Sequence, residues 1–295
     1  MRKRIEGDLL TFPNAGFPTV CHVANKYGIT NGLLHSVGSG VARSYHPFND
    51  VRLPTALARV ADEMITPLEF ASEFGGLGYP QMVRNALLLP PFSAHLANLP
   101  EWEAPRAAFQ KYRYEVSALS NNLPEGDRVD WLKAHSRTVA FCLQFIGLLN
   151  DGNERVIRDE VDDIPRNTTF ACRASLIRPV KSWHEDLQSK ITPSSLIRVQ
   201  LSRIITENIA GVRREFVTDP FGSRTDSVFI GTTIEAVYWQ LADKMEARMV
   251  RRCEECNRFF VARDKRQQYC PPLPGSTRSR CSSRQNVKNF RDRQG

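Results

Sequence analysis

The sequence predicts a mainly α, α+β protein: a helical N-terminal domain with a small β-hairpin, joined to a cysteine-rich, treble-clef-like C-terminal unit. Three observations predict this. Apolar residues recur at helical spacing, with recognisable caps, between Thr55 and Met245. One segment, Arg214-Glu215-Phe216-Val217 and Ser227-Val228-Phe229-Ile230 around Asp219-Pro220-Phe221-Gly222, reads as two strands and a turn. Four cysteines, Cys253, Cys256, Cys270 and Cys281, fall within the last 43 residues.

Residues 1–50 are rich in Gly, Pro and Asn, lack periodicity, and read as loops or short strands. Thr66-Pro67-Leu68-Glu69 is a capping box with proline at the first helical position, and Gly75-Gly76 stops the helix it opens. Further helices are expected over Pro80–Leu89 and Ala104–Ser120, the second ended by the turn-like Asn121-Asn122-Leu123-Pro124. The strongest helical pattern starts at Asp127 as cap and carries Leu132, Val139, Leu143, Ile146 and Leu149 on one stripe. Its second half is apolar nearly all round, which places it in the centre of the core.

Residues 168–180 alternate as a strand through Phe170, Cys172 and Leu176. Thr192-Pro193 opens a helix with Leu196, Val199, Ile204 and Ile205. After the hairpin, Thr232 and Glu235 form a second capping box. The helix behind it, with Ile234, Val237, Tyr238, Leu241 and Met245, is expected to run straight into Cys253 and hold the C-terminal unit rigidly, since no Gly/Ser linker intervenes. The expected domains are therefore 1–245 and 246–295. The acidic run Asp159-Glu160-Val161-Asp162-Asp163 reads as a solvated loop, or as a cover for basic residues elsewhere.

Charge is distributed unevenly. Of 40 Lys+Arg and 32 Asp+Glu, the last 50 residues hold 13 and 5, so the net charge of +8 resides there and the remainder is balanced at 27 each. A concentrated positive segment points to a polyanionic partner, nucleic acid being the commonest. The basic start lacks the apolar stretch of a secretory signal, and the longest apolar run, Val139–Leu149, is shorter than the ~20 residues a membrane helix needs. The expectation is a soluble, cytoplasmic protein with no membrane partner.

Cys253-Glu254-Glu255-Cys256 lets two thiolates reach one ion, and Cys270 and Cys281 complete a tetrahedral Zn²⁺ set. Four unrelated cysteines and a disulfide pair are the competing readings, the latter disfavoured in a reducing compartment. Asn257 suits the left-handed conformation that follows such a knuckle. Phe259-Phe260-Val261 reads as a strand, Arg263–Gln267 as a polar turn, and Gln268-Tyr269-Cys270 as a returning strand. Pro271–Ser279 is a loop, and a helix over Ser282–Arg293 starts beside Cys281. With all four positions taken by Cys, the zinc is structural rather than catalytic and supplies most of the folding free energy of the small unit.

The stretch Cys253–Arg293 resembles the CGNR-type zinc finger of bacterial proteins: a Cys-x₂-Cys knuckle, Phe-rich residues, Tyr269-Cys270, then a Cys opening a basic helix. Cys281-Ser282-Ser283-Arg284 keeps the Cys and Arg of that motif but not its Gly-Asn, and Phe290-Arg291-Asp292-Arg293 matches the aromatic-Arg-x-Arg ending. The loop Pro271–Arg280 is longer than usual. The resemblance covers about 45 residues and implies a treble-clef-like zinc finger in a DNA-binding transcriptional regulator.

On the last helix Arg284, Lys288 and Arg291 form one stripe, Val287 and Phe290 are expected to pack back on the hairpin, and Gln285 and Asn289 can read base edges. Arg258, Arg263, Lys265, Arg266 and Arg293 add charge for phosphates. The expected partner is duplex DNA, with RNA second. A protein-interaction or oligomerisation module, including a homo-oligomer, is the main alternative. An enzyme is not expected, although an unrecognised site in the N-terminal domain remains a weaker alternative. There is no phosphate loop, and His184-Glu185 lacks the second His of a zinc-protease motif. His22, His35, His46, His95 and His135 show no ligand spacing, and Cys21, Cys142 and Cys172 read as small apolar residues.

Overall fold

The computed structural model describes residues 21–38, 40–48, 50–82, 125–165, 168–172, 175–177, 192–209, 211–218 and 224–294. The expected helix Ala104–Ser120, most of Pro80–Leu89, the turns at 121–124 and 219–222, and His95 and His184 lie outside them.

The irregular-looking N-terminal stretch forms four short strands, β1 (Cys21–Ala24), β2 (Tyr27–Thr30), β3 (Leu33–Ser36) and β4 (Val41–Tyr45). β1 pairs antiparallel with β4, and β2 with β3. The β2–β3 turn is Asn31-Gly32, both at positive φ (51° and 75°), as a two-residue hairpin of matching twist requires. Helix α1 (Arg52–Ala61) follows, then α2 (Pro67–Phe74). The Thr66 capping box is present: Thr66 Oγ1 accepts from Glu69 N–H at 3.1 Å, and Thr66 N–H donates to Glu69 Oε2 at 2.6 Å. Gly75 ends α2 at φ 79°, where a side chain would be strained.

The central helix is α3 (Val129–Asp151). Its predicted stripe is buried, as are Cys142, Phe145, Gly147 and Leu148 around it. Its cap is not Asp127. The N-cap is Arg128, without a side-chain cap bond. Asp127 belongs to strand β5 (Asp127–Arg128), which pairs with β3. Its carboxylate, 3% exposed, accepts from the backbone N–H groups of Leu77, of Gly78 at 3.0 Å and of Tyr79 at 2.6 Å. It caps the helical turn at 79–82 from 48 residues away in sequence, a tertiary capping bond that local spacing cannot announce.

Helix α4 (Glu154–Asp162) contains most of the acidic run, which is therefore helical rather than a loop. Val161 and Ile157 face the core, and Glu160 accepts from Gln144 Nε2 at 2.6 Å. Among the described residues these carboxylates pair with none of the C-terminal bases. The expected single strand at 168–180 is instead a tight antiparallel pair, β6 (Phe170–Cys172) and β7 (Ser175–Ile177). All three β6 residues are buried, so period-two alternation is absent there.

Helix α5 (Pro193–Ile209) buries Leu196, Ile197, Leu201, Ile204 and Ile205, while Val199, placed by the sequence on the apolar stripe, is 64% exposed. The hairpin β8 (Arg213–Thr218) and β9 (Arg224–Phe229) is antiparallel over its full length. Helix α6 (Thr233–Glu246) is N-capped by Thr232, but Glu235 reaches back to Gly231 N–H (2.9 Å), one residue beyond the capping-box position.

α6 does not continue into the cysteines. It ends at Glu246, the chain reverses through Arg248 at φ 54°, and β10 (Val250–Arg252) pairs antiparallel with β11 (Phe259–Val261). What holds this strand pair is packing: β10 and β11 lie against α3, and β11 also lies against α1. Val250, Phe259 and Val261 belong to the same apolar core as α1, α3 and α6. Thr55 Oγ1 accepts from Val261 N–H at 2.9 Å, and Asn150 Nδ2 donates to Val250 O at 3.0 Å. Fold content is thus mixed α and β, with helices around small antiparallel sheets. Among the described residues, no helix is long and apolar enough to cross a membrane.

Candidate metal centre and basic helix

The two β10–β11 strands flank a six-residue knuckle. Cys253 follows β10 directly, donates its N–H to Arg258 O (2.9 Å), and accepts from Asn257 N–H on its own carbonyl (2.9 Å). Asn257 adopts φ 59°, as its type predicts. This turn presents Cys253 and Cys256 on one side.

The returning strand expected at 268–270 is not one; β11 already pairs with β10. Instead Glu254 N–H donates to Gln268 O at 3.1 Å, which draws Cys270 to the knuckle. The turn before it is closed by Arg263 N–H to Gln267 Oε1 and Arg266 N–H to Asp264 Oδ1, both 2.8 Å. Pro271–Ser279 is a loop, as expected. Ser279 then caps helix α7 (Arg280–Asp292), two residues earlier than predicted, accepting from Ser282 N–H at 3.2 Å. Cys281 therefore sits in the first turn, where unpaired N–H groups and the helix dipole favour a thiolate.

The four sulfurs all lie within 4.8 Å of one another, with Cys256 Sγ and Cys270 Sγ 3.5 Å apart. That is too far for a disulfide bond of about 2.05 Å. A tetrahedral ion with metal–sulfur bonds of about 2.3 Å holds its ligand sulfurs about 3.8 Å apart, so the residues fit one ion. Cys253, Cys270 and Cys281 are buried over a small cluster with Phe260 and Ala262, and Cys256 is half-buried.

Electrostatics within the cluster argue the same way. Burial pushes the Cys253 thiol up, but N–H groups of Cys256, Cys270 and Glu255 more than offset this and hold it at about 7. Burial, then the neighbouring sulfurs, push Cys281 up to about 12. Cys270 is raised by burial and by Cys253 and Cys256, against the pull of Arg59. One thiolate thus opposes the next, and a cation among them removes that repulsion while displacing protons.

Arg59, on α1, is a member of this site that sequence reasoning missed. It is 3% exposed. Nη2 donates to Cys270 Sγ (3.4 Å) and Phe259 O (3.2 Å), and Nη1 to Asp62 Oδ2 (3.0 Å). An arginine in Ala-Leu-Ala-Arg-Val gives no local sign of a partner some 200 positions away.

The expected nucleic-acid residues divide into groups. Arg258 pairs with Asp62 at 3.0 Å. Arg263, Lys265 and Arg266 are exposed on the turn, and Lys265 O accepts from the Arg251 guanidinium. On α7 only Cys281 is buried; Arg284, Lys288, Asn289 and Arg291 are exposed, as is Arg293 just beyond its end. Gln285 Nε2 donates to Asn289 Oδ1 at 2.9 Å, so the two amides hold each other. Val287 and Phe290 do not pack back on the hairpin: they are 51% and 60% exposed, because α7 touches the rest of the protein mainly through its first turn.

Of the remaining cysteines, Cys142 and Cys172 are buried and Cys21 meets Thr233 Oγ1 at 3.3 Å. His135 is buried, its Nδ1 2.9 Å from the Tyr238 hydroxyl.

In comparisons with known proteins, no family model, no curated protein and no solved structure matches the chain.

Proposed function

We propose that this chain is a DNA-binding regulator in which a structural Zn²⁺, held by Cys253, Cys256, Cys270 and Cys281, fixes a treble-clef-type finger of the CGNR kind and presents α7 to duplex DNA. Thiolate-only donors favour zinc among common divalent ions, and a fourth thiolate leaves no position for water, so the metal's part is scaffolding.

The observation that carries the reading is the state of α7. It is pinned at Cys281 and otherwise projects into solvent. Arg284, Lys288 and Arg291 line one stripe, which Arg280, one turn earlier, extends. Among the described residues Arg284, Lys288 and Arg291 pair with no carboxylate, whereas Arg280 lies within electrostatic reach of Glu69. A helix of this diameter and charge suits the major groove. Arg258 contributes less, since Asp62 already neutralises it, and Gln285 and Asn289 read bases only if their mutual bond opens.

The test is binding of the zinc-loaded full chain to duplex DNA by fluorescence anisotropy across a salt series. The expected affinity falls steeply with salt. Replacing Arg284, Lys288 and Arg291 together by Ala flattens the log–log slope by roughly 3, at about 0.9 per lost phosphate contact. Absence of binding at low salt with zinc present sinks the proposal.

The exposed pair Val287 and Phe290 favours a second reading, a protein-interaction or oligomerisation contact through the same helix. Sedimentation of wild type and of Val287→Ser/Phe290→Ser separates the two: a mass that drops in the variant, with no DNA binding in either, selects the second.

A further inference from the structure

We propose that Arg59 is a positioning residue of the metal centre, supplied by the helical core, whose guanidinium hydrogen-bonds the Cys270 sulfur, offsets thiolate charge, and makes metal affinity depend on the finger's seat against α1. The inference rests on the four cysteines holding a divalent metal.

The argument begins with the cost of Arg59. A guanidinium with 4% of its side chain exposed is retained only where opposite charge and hydrogen-bond acceptors meet it. Asp62 is the carboxylate available, but Asp62 Oδ2 also takes Arg258 Nε at 3.0 Å, and it is 29% exposed. Two arginines share one carboxylate, leaving one unit of positive charge.

The remaining acceptors of Arg59 are the Phe259 carbonyl and Cys270 Sγ. Four thiolates around a divalent ion carry two net negative charges, and the excess positive charge stands directly against them. Outer groups of this kind orient a ligand and tune how strongly it donates. Here the donor comes from α1, whereas all four ligands lie in the last 43 residues. The same guanidinium binds β11 through Phe259 O. Seating of the strand pair and completion of the metal environment are therefore one event.

A purely structural strut between α1 and β11 would leave the metal's own properties unchanged, and that separates the readings. The full chain is loaded with Co²⁺ or Zn²⁺, and folding is checked by circular dichroism. Arg59→Met keeps the packing volume and removes the donors; Arg59→Lys keeps the charge on a single point. Competition with a chromophoric chelator is expected to show 10–100-fold weaker metal binding in Arg59→Met, with Arg59→Lys between it and wild type. The sulfur-to-cobalt charge-transfer band is expected to move to longer wavelength in both, as the sulfur loses its hydrogen bond. Asp62→Asn, nearer the surface, provides the arm that does not disturb burial: freeing Arg59 from its carboxylate strengthens the bond to sulfur and moves the band the other way. An unmoved band and unchanged affinity in any folded variant overturn the proposal. A wild-type chain that takes up no metal overturns the metal reading itself.

Discussion

Asp127 shows how far a single residue can differ from its local reading. Its position before an apolar helical pattern predicts a cap for the next helix; instead it satisfies three N–H groups of 77–79 on a different segment. Gly76 lies so close that an added Cβ would stand 2.9 Å from Asp127 Oδ2. Asp127→Ala strands three donors in a site 3% exposed, and the expected loss is about 3 kcal/mol or more in urea unfolding. A loss under about 1 kcal/mol, typical of a surface cap, would mean that water replaces the carboxylate. Arg59 follows the same logic: its partners belong to distant segments, so its neighbours in sequence say nothing of them.

Among elements, the contact that matters most for the candidate site is α3 against β11. Gly147 sits where α3 meets the Phe259 ring; an added Cβ would fall 2.1 Å from Phe259 Cδ1. The ring is 9% exposed and has the Arg252 guanidinium 5.1 Å from its centroid on one side, so it has little room to yield. Gly147→Ala gains about 1 kcal/mol of helix propensity but overpacks the contact by about 1–3 kcal/mol. The expected result is a net loss in denaturant unfolding, with Gly147→Val worse. A stabilised Gly147→Ala would show that β11 can shift freely on α3. Element types were largely readable beforehand: α2, α3, α5, α6, the β8–β9 hairpin and α7 each carry caps, periodicity or turn residues in order. The β2–β3 hairpin was readable too, from Asn31-Gly32 between short apolar runs, a signal the compositional reading of 1–50 passes over.

For the whole molecule, the strand pair that bears the knuckle is part of the main core, so a metal held by the four cysteines would support more than the knuckle itself. Chelation is expected to lower the thermal midpoint of the entire chain, by on the order of 10 °C or more, in a single transition followed by circular dichroism. Two separate transitions, with the helical one unmoved, would show that the strands stay seated without metal. Because the ligands must shed protons, the stabilisation is expected to weaken steadily as pH falls, already above neutrality through Cys270 and Cys281, whose thiols are raised, and further as Cys253 protonates near 7. Thiol protonation then competes with the ion.

The sequence by itself singled out the four cysteines that the fold brings together, the knuckle with its left-handed Asn257, and the concentration of positive charge on the last 50 residues. Ligand spacing, φ preference and net charge are local or additive properties, and a string of residues carries them in full. Only the tertiary structure decided that β10–β11 rather than a continuous helix joins the four-cysteine unit to the core. It alone decided that Asp127 and Arg59 serve distant backbone and sulfur, and that Val287 and Phe290 face water. Each of these depends on which surfaces meet, and burial of a polar group is tolerated only where a partner, however far along the chain, is brought within hydrogen-bond reach.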